Sequence, residues 1–97
     1  MSDIFGLVES ILKQFVGYDG FERDCIIKSL IYTFEWVPTN PDYWRNKSPR
    51  ELRRDLGNNI LSRLNIRLID GPIRYAKAKY ISFRIAHLVI DNFHKLI

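Results

Sequence analysis

The residue types able to hold a metal or move a proton are few, and their spacing is permissive at best. His87, Asp91 and His94 lie four and three apart, so on a helix they share one face and could converge on a divalent cation. The set lacks the glutamate beside a first histidine that makes a hydrolytic zinc motif, and a structural site needs a fourth ligand from elsewhere. These residues are therefore read as a helix-surface histidine and carboxylate pair. Cys25, the only cysteine, falls on an apolar helical face with Ile26, Ser29 and Leu30, where a thiol packs as a small hydrophobe more readily than it attacks. No serine stands in a nucleophile-elbow context, no Gly-x-Gly or phosphate-loop pattern occurs, and the acids are scattered instead of paired beside apolar walls. Neither an enzyme nor a cofactor is expected.

Charge placement is more informative. Residues 1–44 hold seven acids and three bases, a net of −4, whereas residues 45–84 hold eleven bases and three acids, a net of +8. Arginine dominates the basic stretch, which suits bidentate contacts to carboxylates or phosphates. Arg45, Arg50, Arg53, Arg54, Arg63 and Arg67 form the candidate binding set, with Trp44 beside them as an aromatic anchor. Two plainer readings stand next to this one. A basic helix surface can simply solubilise the domain or bridge to its own acidic half, and Trp36, Tyr43 and Trp44, which frame a two-proline loop, can serve to pin that loop to the core.

The elements that must position these residues read as helices. From Ile4 to Val16 the apolar residues recur at helical offsets, giving a helix over about 3–16, with a Glu9–Lys13 pair outside and Gly17 as a left-handed stop. Asp19 and Glu22 have the spacing of a capping box ahead of a second helix that ends near Trp36. In that helix Ile27, Ile31 and Tyr32 widen the apolar face as if it were packed on two sides, and Asp24 pairs with Lys28. Val37-Pro38-Thr39-Asn40-Pro41 forces a turn, after which Asn40 is placed to cap one short turn holding Tyr43 and Trp44. Ser48-Pro49-Arg50-Glu51 is the strongest helix start in the chain.

Downstream the reading divides. Leu52, Leu56, Ile60, Leu61 and Leu64 continue a helical face across Gly57-Asn58-Asn59, where a break is expected. Leu56-Gly57 invites comparison with the turn of a helix-turn-helix, although Ile60 and Leu61 follow too soon and Arg63 falls where an inward residue is needed. Asp70-Gly71-Pro72 is taken as the start of a long final helix through Ala76, Ala78, Ile81, Ile85, Leu88, Val89, Phe93 and Leu96. The alternative puts residues 66–69 and 80–85 in strands, since Ile81, Phe83 and Ile85 also alternate.

With 97 residues, 46% apolar and 27% charged, the chain is expected to form one domain over 1–97. The expected fold is all-α: a bundle of four or five helices with the first two antiparallel and the last central. A helical domain with a small hairpin, winged-helix-like, is the alternative. No apolar run approaches the ~18 residues of a membrane span, Met1-Ser2-Asp3 opens no signal sequence, and a lone cysteine suits a reducing compartment. A complete cytoplasmic protein without a membrane role is thus expected. The functional expectation is a non-enzymatic protein-binding module, such as a small inhibitor, immunity-type factor or adaptor, that offers the arginine-rich face to an acidic protein partner. The alternative is a nucleic-acid-binding protein using the same bases on phosphates. Self-association through the oppositely charged halves is a variant of the first.

Overall fold

The computed structural model describes residues 2–36, 41–64 and 71–93, which form four long helices and one short one. In chain order these are α1 (Ser2–Lys13), α2 (Gly20–Trp36), α3 (Pro41–Arg45), α4 (Pro49–Leu64) and α5 (Pro72–Phe93). The fold is the expected all-α bundle. No strand occurs among the described residues, and residues 80–85 lie inside α5, which removes the hairpin of the winged alternative. Its other half, residues 66–69, lies outside the described residues.

Local chemistry accounts for the helix ends. After Lys13 the chain tightens, with the amides of Gln14 and Phe15 donating to the Ile11 and Leu12 carbonyls three residues back. Gly17 then turns the chain at φ +89°, a conformation that a Cβ disfavours. At the start of α2 the Glu22 amide donates to Asp19 Oδ1 (2.9 Å) and the Asp19 amide to Glu22 Oε2 (3.2 Å), so the capping box is reciprocal. At α4 the Glu51 amide donates to Ser48 Oγ (3.2 Å), but the Glu51 carboxylate accepts a hydrogen bond from the Ser48 hydroxyl (3.3 Å) instead of from the cap amide. The Asp24–Lys28 pair forms at 2.9 Å; among the ion pairs of the described residues, Glu9–Lys13 does not occur.

One core joins the elements. Leu52, Leu56 and Ile60 of α4, Ile81, Ile85 and Val89 of α5, Cys25 and Ile26 of α2, and Ile11 of α1 are all essentially inaccessible to solvent. Helix α5 is central, packing most extensively on α4, then on α2, and more lightly on α1. The first two helices therefore share less surface with each other than each shares with α5. Ser29, Ala78, Ser82 and Ala86 are fully buried small residues that let helix backbones approach closely, and the hydroxyls of Ser29 and Ser82 find no partner among the described residues.

Three expectations are corrected. Helix α4 is unbroken from Pro49 to Leu64, so neither a break nor a helix-turn-helix turn occurs at Gly57. Gly57 is buried, and a Cβ there would stand 2.6–2.8 Å from atoms of the Phe83 ring; the glycine is a seat for an α5 aromatic, and the core packing that it permits outweighs its ~1 kcal/mol helix penalty. Helix α2 packs on both α4 and α5, but Ile27 and Ile31, expected to widen its apolar face, are exposed. Ala76, read with Ala78 on the apolar face of the final helix, is exposed, whereas Ala78 is fully buried.

Candidate functional site: the basic surfaces of α4 and α5

The short helix α3 is fastened to α4 by a cluster around Asp55. Asp55 Oδ2 accepts from Tyr43 Oη and Lys47 Nζ, both at 2.8 Å, and Lys47 also lies 4.2 Å over the Tyr43 ring. Arg54 Nε approaches the other carboxylate oxygen at 3.4 Å. The Lys47 ammonium and then the Tyr43 hydroxyl hold the Asp55 carboxyl below its ordinary range, while the same carboxylate raises Lys47. Burial, followed by the Asp55 hydrogen bond, raises Tyr43. An aromatic chain extends this cluster into α2: Tyr43 packs edge-on against Trp36 (5.1 Å), and Trp36 stacks with Tyr32 (6.3 Å). Trp36 and Tyr43 thus meet across the ends of the two-proline loop, whose residues 37–40 lie outside the described residues.

The sequence-predicted binding residues are dispersed across several arrangements. Arg45 is exposed and pairs loosely with Asp42 at 3.5 Å. Arg50 is exposed at the first turn of α4 and has no ion pair among the described residues. Arg53 donates to Asp91 Oδ1 at 2.5 Å and is partly buried, so it ties α4 to α5. Arg54 faces solvent beside Asp55, and Arg63 lies 5.0 Å over the Tyr32 ring. Arg67 and the Trp44 side chain lie outside the described residues. The set does not converge on one pocket; it runs along α4, with two members already serving Asp55 and Asp91.

Beside it lies a feature that sequence reasoning missed. A groove of about 590 Å³ follows α5 and is lined by Ala76, Lys79, Tyr80, Phe83, Arg84, His87 and Leu88. A second hollow, of about 470 Å³, lies past Ala76 and Tyr80 toward Ile73, Tyr18 and Lys77. Ile73 is 75% exposed and Tyr80 54% exposed, so large apolar side chains on a long helix face water. Lys77 is engaged by Glu22 at 2.9 Å, which raises the lysine's pKa, and Arg84 donates to the neutral Gln14 Oε1 at 2.9 Å. Lys79 has no ion pair among the described residues. The signal was present as a second stripe, Ile73, Ala76, Tyr80, Phe83 and His87 at spacings of three and four, obscured by the buried stripe that overlaps it on the same helix.

His87 Nε2 stands 3.3 Å from Asp91 Oδ2, and Asp91 is shared with Arg53. Among the described residues no group of three or more His, Cys, Asp or Glu side chains is arranged to hold a metal ion; His94 lies outside them. Cys25 is 2% exposed in the core, as expected for a packed thiol. No helix among the described residues is long and apolar enough to cross a membrane. No family model matches the chain, and no curated protein or solved structure is significantly similar to it.

Proposed function

We propose that the protein is a non-enzymatic binding module that offers the basic surface of α4 and α5 to an acidic protein partner. The observation that carries this reading is the exposure of Arg50, Arg63 and Lys79 without a carboxylate partner among the described residues, in a stretch with a net charge of +8. Such charges raise encounter rates and select an oppositely charged surface more than they stabilise the fold. Nucleic acid is the competing target for the same bases, but the helix-turn-helix comparison that favoured it fails at Gly57, leaving charge as its only support.

The test is capture of partners from native lysate, with and without nuclease, by wild-type protein and by the Arg50→Glu/Arg54→Glu/Arg63→Glu variant. Arg53 is left unchanged because its partly buried bond to Asp91 ties α4 to α5, whereas the approach of Arg54 to Asp55 is longer, at 3.4 Å, and solvent-exposed. The expected result is an acidic protein retained after nuclease treatment and lost on triple reversal, with the melting temperature of the variant nearly unchanged, since exposed charges contribute about 1 kcal/mol or less each. Capture abolished by nuclease, or capture indifferent to the reversal, overturns the reading.

A further inference from the structure

Helix α5 carries two seams. One is the buried stripe of Ala78, Ile81, Ser82, Ile85 and Val89 that packs the bundle. The other is Ile73, Ala76, Tyr80, Phe83 and His87, whose alternating spacings of three and four are those of a helix that meets another helix along its length. At 1.5 Å per residue this second seam runs for roughly 21 Å, and the two hollows along it meet at Ala76 and Tyr80. Phe83 is half-buried, its ring seated over Gly57, which leaves a floor between Tyr80 and Leu88.

The flanks of the seam decide what can cover it. Of the positions that border such a seam, where partner helices exchange ion pairs, Ala86 is buried in the core and the other three are Lys77, Lys79 and Arg84. All three are basic. Glu22 compensates Lys77, but no acidic side chain lines the larger groove among the described residues, and Arg84 is met only by the amide oxygen of Gln14. A second copy docked through the same seam would set lysine and arginine against lysine and arginine, which disfavours a symmetric pair. A nucleic acid would leave Ile73 and Tyr80 largely uncovered. An amphipathic helix with apolar residues at its own seam and glutamate or aspartate on its flanks would cover the apolar stripe and neutralise the flanking cations together.

We infer that the seam of α5 is a docking site for an acidic amphipathic helix, inserted beside Tyr80 with its carboxylates on Lys79 and Arg84. This rests on the acidic-partner reading above and narrows it to one helix of the partner and one groove of this chain. The probe is a fluorescein-labelled peptide of about three heptads with leucine at its seam and glutamate on its flanks, whose own charges oppose self-pairing. Its lysine counterpart and a mixed-sequence DNA duplex serve as comparisons, and binding is followed by fluorescence anisotropy with the full chain.

The glutamate peptide is expected to bind, the lysine peptide not to bind, and Tyr80→Ser and Lys79→Glu/Arg84→Glu each to weaken binding about tenfold or more. Tyr80 and Lys79 are exposed, so single changes there leave the core intact, and Lys79→Glu alone repeats the charge test without disturbing the Arg84 contact to Gln14. Binding that survives all groove variants but is lost in the Arg50→Glu/Arg54→Glu/Arg63→Glu protein overturns the groove and leaves the acidic-partner reading standing on α4. Failure of the glutamate peptide to bind, together with tight binding of the duplex, overturns both.

Discussion

A Cβ at Gly57 would come within 2.6 Å of the Phe83 ring, so two effects of alanine oppose each other there. Helix propensity favours alanine by about 1 kcal/mol, whereas forcing an aromatic out of a packed seat costs about 1–3 kcal/mol. Packing wins, because the clash involves Cγ of Phe83 as well as the outer ring atoms, and a small rotation of the ring cannot relieve it. Gly57→Ala is expected to destabilise by up to about 2 kcal/mol in chemical denaturation. In a Phe83→Ala background the same substitution is expected to stabilise by about 1 kcal/mol, the reversal that identifies the contact as the cause. Equal effects in both backgrounds would place the cost in the backbone of α4. Because Phe83 also lines the α5 groove, Gly57 sets the depth of a surface feature from one helix away.

Among the elements, α3 depends most on charge. It has five residues, too few to be stable alone, and its described side-chain ties to α4 centre on one carboxylate. With its folded-state pKa depressed, Asp55 contributes stability that is present above the ordinary carboxylate pKa and is lost as pH falls through the folded value. Lys47, raised in the folded state, loses its contribution only as pH rises through its own folded value, above the ordinary lysine range. The α3–α4 connection is therefore strongest from weakly acidic to moderately alkaline pH. Thermal melts are expected to show part of the acid destabilisation arising here, and Asp55→Asn is expected to lower stability near neutrality by about 1–2 kcal/mol while flattening the loss below about pH 4. A pH profile unchanged by Asp55→Asn would mean that α3 is held by Tyr43 and Trp36 packing alone.

For the whole molecule, unequal packing implies unequal opening. Helices α2, α4 and α5 pack extensively on one another, whereas α1, which buries Leu7 and Ile11 in the same core, rests mainly on α5 and more lightly. Native-state hydrogen exchange is expected to show the amides of α1 opening at lower free energy than those in the middle of α4 and α5, which should exchange near the global limit. Protection of α1 equal to that of α5 would indicate one cooperative unit. Exposed Leu12, Val16 and Ile27 line a hollow with Arg23, and none of them lines the α5 groove, so the exposed apolar side chains among the described residues fall in more than one region.

The helices were legible in the sequence because their signals are local. Asp19 with Glu22, Ser48 with Pro49, and Gly17 act within a turn or two of chain, and the apolar period of each long helix follows from backbone geometry alone. The basic balance of residues 45–84 was equally open to view, being a property of composition. What tertiary packing decided is which side chains those signals expose and which charges remain unsatisfied. Gly57 reads as a helix breaker until Phe83, distant in sequence, is set over it. Arg53 reads as a free surface base until α5 brings Asp91 to it, and Ile27 and Ile31 read as core until the bundle closes without covering them. In α5 the second seam shares its helix with the first, and periodicity cannot separate two stripes that both suit burial. Only the three-dimensional arrangement covers one and leaves the other open, because a helix has room for neighbours on several sides and its own sequence does not say how many will come.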